Sequence, residues 1–120
     1  MFAILFPGQG SQFSGMADPW IEHPAGRDVL DRASAILGYD VAEACRDDEK
    51  LADTAVVQPA LFACDLAAHR VLVAEGVSFG AAAGHSLGEF AALVAAEAIA
   101  FAPALQAVVE RGEAMRDAGT

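Results

Sequence analysis

Positive charge is what this sequence has least of. Its 120 residues carry 7 Lys and Arg side chains against 17 Asp and Glu, so the formal net charge is −10 at pH 7. Lys50 is the only lysine. A surface this acidic repels phosphate backbones and anionic lipid headgroups. The composition therefore argues against a nucleic-acid-binding protein and against a protein held at a membrane surface.

Cysteine and long apolar runs are also scarce. Cys45 and Cys64 have no metal-ligand spacing, so we expect two free thiols and no metal site. The apolar run of residues 1–6 is too short for a signal peptide or a membrane span. The apolar stretch from Ala91 to Ala104 is interrupted by a charge and a proline. These features predict a cytoplasmic protein.

What the sequence has in abundance is small aliphatic residues, which favour helices packed closely on a sheet, and hence an α/β fold. Residues 1–6 predict a buried, central first strand that ends at Pro7, and Gly80–Gly84 predicts a second strand. The charged stretch Asp47–Lys50 is interpreted as a connector. Apolar periodicity predicts four helices over Arg27–Leu37, Pro59–Glu75, Leu87–Ala98 and Pro103–Asp117. Pro59 is expected at a helix start, where a missing N–H costs nothing.

The most informative segment is Gly84-His85-Ser86-Leu87-Gly88, a G-x-S-x-G pattern between a predicted strand and a predicted helix. In that context the pattern predicts a nucleophile elbow, with Ser86 in a strained turn that exposes its hydroxyl. Side chains at the flanking glycines would collide with the neighbouring strand and helix. The backbone N–H of Leu87 would lie at the helix N-terminus, where it can donate to a developing oxyanion.

A serine nucleophile needs a general base, and the sequence supplies no obvious one. His85 adjoins Ser86 but should point to the opposite side, so packing or hydrogen bonding behind the elbow is its expected role. His69 lies four residues after Asp65, which predicts a solvated helical pair. His23 is expected on the surface. No histidine follows Ser86 in this sequence, although the base follows the elbow in most α/β serine enzymes.

A glycine-rich loop follows the first strand, but it does not fit a dinucleotide site. The pattern G-x-G-x-x-G starting at Gly8 would need glycine at position 13, and Phe13 is there.

Four segments together resemble the acyltransferase family of fatty-acid and polyketide synthesis, which includes the malonyl-CoA:acyl carrier protein transacylases. They are Phe6–Gln12 (FPGQGSQ), Thr54–Ala63 (TAVVQPALFA), Gly84–Glu89 (GHSLGE) and Glu110–Met115 (ERGEAM). Their order and spacing make the match specific over nearly the whole sequence.

The resemblance implies a role for each matching residue. Ser86 would carry the malonyl group as an ester, and Gln9 with the backbone N–H of Leu87 would form the oxyanion hole. Arg111 would pair with the free malonyl carboxylate, for which a planar guanidinium is well suited. From the residues alone, a surface cation paired with a nearby glutamate is an equal alternative for Arg111. Gln58 would line the site beside Gln9.

The resemblance also implies a fold, partners and an extent. The fold would be a parallel-sheet, α/β-hydrolase-like core. Residues 1–120 would be the N-terminal part of one catalytic domain, without an internal boundary, ending before a ferredoxin-like small subdomain. The catalytic histidine would lie beyond this part, and a separate C-terminal half is therefore a candidate partner. The coenzyme A thioester would be a substrate, with no further cofactor, and acyl carrier protein would be the acceptor.

Three alternatives stay open at this point. An α/β-hydrolase-type esterase or thioesterase shares the elbow but needs neither Arg111 nor the GQGSQ loop. A catalytically incomplete fragment would act only as a complementation or interaction partner. An acyltransferase-like subunit of another malonyl-handling complex, such as malonate decarboxylase, would share the four segments.

Overall fold

The computed structural model describes residues 2–119 as two parallel strands with helices around them. The elements are β1 (Phe2–Phe6), α1 (Asp18–Ile21), α2 (Pro24–Leu37), α3 (Val41–Ala44), α4 (Asp48–Leu51), α5 (Thr54–Ala74), β2 (Phe79–Gly84), α6 (Gly88–Ala95) and α7 (Phe101–Ala118). The α/β class predicted from composition is confirmed. Met1, the first residue of the predicted first strand, lies outside the described residues.

The two strands are distant in sequence but adjacent in the sheet. They pair in parallel, with Phe6 opposite Gly84, and the N–H of His85 donates to Phe6 O at 3.1 Å just beyond the pair. Because the carboxyl ends of parallel strands meet at one edge, the loop after β1 and the turn after β2 start side by side. This pairing brings the GQGSQ loop next to Ser86.

Within residues 2–119 the first strand is less buried than predicted. Phe6 is only 4% exposed, whereas Leu5 is 75% exposed. Strand side chains alternate between the two faces of a sheet, and here Ile4 and Phe6 face the core while Leu5 faces away from it. Within residues 2–119 the sheet consists of β1 and β2, so β1 has one neighbouring strand there.

The longest helix, α5, begins earlier than predicted. Asp53 is its N-cap, and the Asp53 carboxylate accepts from the N–H of Ala55 at 3.0 Å. Pro59 therefore lies inside the helix instead of at its start, and the fifth helical position accommodates Gln58. Because the cap stabilises a first turn before the proline, the helix begins before Pro59.

The remaining boundaries differ from the predictions by a few residues. α2 contains the predicted stretch and ends at Gly38, whose φ of 83° is a left-handed C-cap. α6 ends three residues before its predicted end, and α7 begins two residues before its predicted start. The predicted connector Asp47–Lys50 forms the short helix α4 instead, because the Asp47 side chain caps it by accepting from the N–H groups of Glu49 and Lys50.

The core is one contiguous cluster of apolar side chains centred on α5. It includes Phe6 of β1, Leu30 of α2, Phe62 of α5 and Leu105 of α7. By length and hydropathy alone α5 could cross a membrane, but 56% of its most apolar window is buried within the fold. Its apolar circumference is therefore accounted for by packing, and its N-terminal turn reaches the carboxyl edge of the sheet.

Candidate active site

The turn after β2 has the geometry of a nucleophile elbow. Ser86 has a φ of 54°, one of two positive values among the non-glycine residues described. The left-handed region is costly for a residue with a Cβ, so the surrounding structure must enforce this conformation. Ser86 is exposed at the tip of the turn, and helix α6 follows within two residues. The predicted position of the serine is confirmed.

Both glycines beside the elbow are required by close backbone contacts. A Cβ on Gly88 would overlap the carbonyl oxygen of Phe6 in β1. A Cβ on Gly84 would overlap the backbone of Gly88 at the start of α6. The strand, the turn and the helix therefore pack backbone against backbone, as the sequence predicted.

Leu87 connects the elbow to α6. Its side chain is buried at 1% exposure, and its backbone is already helical, with φ −51° and ψ −38°. The next two N–H groups, of Gly88 and Glu89, donate to His85 O and Ser86 O within the turn. The N–H of Leu87 lies at the positive end of the α6 dipole, beside the Ser86 hydroxyl.

Arg111, on α7, is the side chain that contacts Ser86. Its Nη2 donates to Ser86 Oγ at 2.8 Å, and its Nη1 donates to Gln58 Oε1 at 2.5 Å. Within residues 2–119, neither Glu110 nor Glu113 forms an ion pair with it. The alternative of a cation paired with a nearby glutamate is therefore wrong. Both contacts of the guanidinium are to neutral oxygens, so its positive charge can still attract an anion.

Gln58 is the buried polar centre of this site. Its side chain is 0% exposed, yet both ends of the amide have partners. Besides accepting from Arg111, it donates through Nε2 to Thr54 Oγ1 at 3.1 Å and contacts Met115 Sδ at 3.1 Å. Satisfying a buried amide in this way avoids a desolvation penalty of about 1–3 kcal/mol.

Gln9, in the loop after β1, joins the same network through Thr54. The hydroxyl of Thr54 donates to Gln9 Oε1 at 2.8 Å. The loop is held by its own turn, in which Ser11 Oγ donates to Gly8 O at 2.9 Å. The structure thus joins Gln9, Gln58, Ser86 and Arg111 in one hydrogen-bonded chain through Thr54. Sequence reasoning missed Thr54, although its spacing of four residues from Gln58 indicates one helix face.

The three histidines occupy different environments. His85 is exposed, and its ring lies beside Gly8 in the loop after β1. His23 caps α2, where its Nδ1 accepts from the N–H of Ala25 at 3.1 Å and its Nε2 lies 2.8 Å from Glu75. In the described part of the chain, the partner of the Ser86 hydroxyl is Arg111, which cannot act as a base.

The prediction of a solvated Asp65–His69 pair is wrong. His69 is 9% exposed and packs between Phe6 and Phe79, with ring centroids 6.1 and 5.7 Å away. Asp65 Oδ2 and His69 Nδ1 are both buried without a hydrogen-bond partner among residues 2–119. Burial raises the pKa of Asp65 to about 7. Burial, with a smaller contribution from Arg70, lowers the pKa of His69.

The two cysteines are buried together, as free thiols, with Sγ atoms 3.8 Å apart. The hydrogen bond from Cys64 lowers the pKa of Cys45. Among the described residues, no three His, Cys, Asp or Glu side chains are grouped closely enough to hold a metal ion.

A known family has this arrangement of strand, elbow and helices. Residues 3–119 match the family model described as the acyl transferase domain. The chain belongs to the acyl transferase domain family. The mouse mitochondrial malonyl-CoA-acyl carrier protein transacylase is 44% identical to it over 121 residues, covering 96% of this chain and 32% of the mouse protein.

Solved structures agree with the fold. The malonyl-CoA:ACP transacylase of Synechocystis superposes with a TM-score of 0.93 at 39% identity, over 98% of this chain and 41% of that one. A malonyl-transacylase solved in complex with a type II polyketide synthase acyl-carrier protein gives a TM-score of 0.89 at 41% identity, over 98% of this chain and 39% of that one. The chain thus spans about a third to two fifths of the length of these relatives.

Proposed function

We propose that this chain provides the nucleophile and the acyl-binding side chains of an enzyme that moves a malonyl group from coenzyme A to the phosphopantetheine thiol of acyl carrier protein. The observation that carries the proposal is the 2.8 Å contact between Ser86 Oγ and the guanidinium of Arg111. A malonyl group esterified to Ser86 has its free carboxylate one carbon beyond the ester carbonyl. That carboxylate would lie within reach of the guanidinium, and a simple acyl group has nothing to offer it.

The chemistry would proceed through two thioester–ester exchanges. Ser86 Oγ attacks the malonyl thioester, the C–S bond breaks, and coenzyme A leaves as a thiol after taking up a proton. The pantetheine thiol of the carrier protein then attacks the seryl ester, and Ser86 recovers its proton. In both steps the negative oxygen of the tetrahedral intermediate would face Gln9 and the Leu87 N–H at the N-terminus of α6.

In this proposal the general base comes from outside residues 2–119. The serine must lose a proton as it attacks. Arg111 donates a hydrogen bond to the Ser86 hydroxyl and cannot accept that proton. We propose a histidine of a further polypeptide segment as the base. The same proposal makes the parallel β1–β2 pair the beginning of an α/β-hydrolase-like sheet. It requires no cofactor-like molecule besides the coenzyme A thioester. It places the protein in the cytoplasm. The mouse relative, whose name places it in mitochondria, makes the compartment worth testing separately.

The first experiment tests acylation of Ser86. The purified chain is incubated with malonyl-CoA, and intact mass and peptide mapping are used to find a malonyl adduct. Any adduct that forms without the base is expected on Ser86 and should be absent from Ser86→Ala. An adduct retained in that variant would contradict the nucleophile assignment. Binding of free malonate, followed by NMR, tests the guanidinium site without requiring the missing base, and a folded chain that shows neither effect would contradict the proposal.

The second experiment tests the carboxylate contact. Arg111→Ala should reduce malonate binding and malonyl transfer by about 100-fold, because a charge-assisted double hydrogen bond is lost. Acetyl transfer should fall much less, since acetyl has no free carboxylate. Arg70→Ala, which removes an exposed arginine from α5, is the matched control. Equal losses for malonyl and acetyl substrates would exclude the contact and favour an esterase or thioesterase.

A further inference from the structure

One hydroxyl lies between the two glutamines of the site. Thr54 Oγ1 receives a hydrogen bond from Gln58 Nε2 at 3.1 Å and donates one to Gln9 Oε1 at 2.8 Å. Thr54 is the first residue of α5 and is half-buried. It therefore links a fully buried amide to an exposed one in a loop distant in sequence.

The directions of the hydrogen bonds that link Arg111, Gln58 and Thr54 follow from the guanidinium. A guanidinium can only donate, so Gln58 must present Oε1 to it. The Gln58 amide then has only its Nε2 group for Thr54, and the threonine oxygen must accept. The hydroxyl proton of Thr54 remains available to donate, and in the structure it donates to Gln9 Oε1, which turns the Nε2 group of Gln9 away from Thr54.

We propose that Thr54 is a positioning residue that transmits this donor direction from Arg111 to Gln9. Without the hydroxyl, the hydrogen bond that fixes which end of the Gln9 amide faces Thr54 is lost. With it, the two Nε2 hydrogens of Gln9 stay available as donors on the side where negative charge would develop. This inference rests on the proposed function for its purpose, but the orientation itself can be measured without any substrate.

The position of Thr54 is itself fixed from two sides. Asp53, which caps α5, also accepts from Arg116 Nη1 of α7 at 3.1 Å. Gly112 of α7 approaches closely enough that a Cβ would lie 3.1 Å from Ala55 Cα and 3.2 Å from Thr54 O. The same helix therefore supplies Arg111 and holds the turn that carries Thr54, so the ends of the hydrogen-bonded chain keep their spacing.

The test compares Thr54→Val, which removes the hydroxyl but keeps the shape, with Thr54→Ser, which keeps the hydroxyl. The side-chain amides of Gln9 and Gln58 are followed by NMR in glutamine-labelled protein, with the exposed Gln106 as an internal reference. In Thr54→Val, we expect the NMR signals of the Gln9 side-chain amide to show a mobility close to that of the Gln106 amide. Thr54→Ser should keep the wild-type signals. Thr54→Ala repeats the deletion without the branched side chain, in case the valine variant does not fold.

Each outcome decides the proposal. The proposal would be overturned if the Gln9 amide were as ordered in Thr54→Val and Thr54→Ala as it is in the wild type. It would also be overturned if the Gln9 amide were as disordered in Thr54→Ser as in those two variants. Where Ser86 acylation is measurable, Thr54→Val should slow it about tenfold at saturating malonyl-CoA, with rescue by serine. If Gln9 loses order in Thr54→Val but the wild-type chain binds no malonate, the positioning role is supported and the proposed function is contradicted.

Discussion

Helix α5 holds two buried polar regions, and they differ in how well their atoms are paired. At its N-terminal turn, Gln58 is fully buried and both ends of its amide are hydrogen-bonded. Two turns later, Asp65 and His69 each keep a buried atom without a partner among the described residues. The first region is satisfied and directional, which suits the positioning of a reaction. The second region instead shifts the pKa of both groups and couples stability to pH.

The largest effect is expected when the satisfied region is broken. Gln58→Leu removes the acceptor of Arg111 and the donor to Thr54 while keeping the apolar volume. We expect the free energy of unfolding to fall by about 2–4 kcal/mol, because partners of a buried network are left unpaired. Urea denaturation measures this loss. Gln106→Leu, at an exposed position of α7, is the matched control, and an equal change in both variants would contradict the role of the network.

The next effect comes from neutralising Asp65. Its pKa is about 7 in the folded chain against an ordinary value of 3.8, so between these pH values the folded state keeps a proton that the unfolded state loses. Stability therefore falls as the pH rises through this window, and the penalty is complete above pH 7. Asp65→Asn should raise the free energy of unfolding by about 1–3 kcal/mol at pH 8 and have little effect near pH 4.

The control for Asp65 is a carboxylate that lies outside the core. Asp31→Asn changes the same charge on the exposed face of α2. If thermal unfolding of Asp31→Asn shows the same dependence on pH, the net charge of the protein, and not burial of Asp65, is the cause.

The smallest effect is expected at His69, with the opposite dependence on pH. Because its folded pKa is lowered, protonation favours the unfolded state, so stability is complete above the ordinary pKa of about 6.5 and falls as the pH drops. His69→Phe keeps a ring between Phe6 and Phe79 and should stabilise the chain by about 0.5–2 kcal/mol at pH 5. A gain that is larger at pH 8 than at pH 5 would show that titration of His69 is not responsible.

The same contrast explains which features the sequence could predict. The elbow was predictable, because backbone contact at Gly84 and Gly88 excludes every side chain there. Gln9, Gln58 and Arg111 were placed through matching segments, and the structure joins them to Ser86. The roles of these residues in catalysis stay predictions.

The errors have physical causes. α5 is apolar around most of its circumference, so periodicity does not show which of its polar residues face the core. The prediction that Asp65 and His69 are solvated fails for this reason. Pro59 predicts a helix start, but the Asp53 cap stabilises one turn before it. The exposure of Leu5 depends on how many strands and helices surround β1, which a local apolar run does not specify.

The contact between Gly88 and the Phe6 carbonyl also has a consequence for folding kinetics. Five helices separate β1 from β2 in sequence, so this contact is non-local and forms slowly compared with the helices. Until β1 and β2 pair, the Phe6 carbonyl does not help to hold the turn in which Ser86 has its positive φ. The strained turn is therefore complete only when the two strands at opposite ends of this segment have paired.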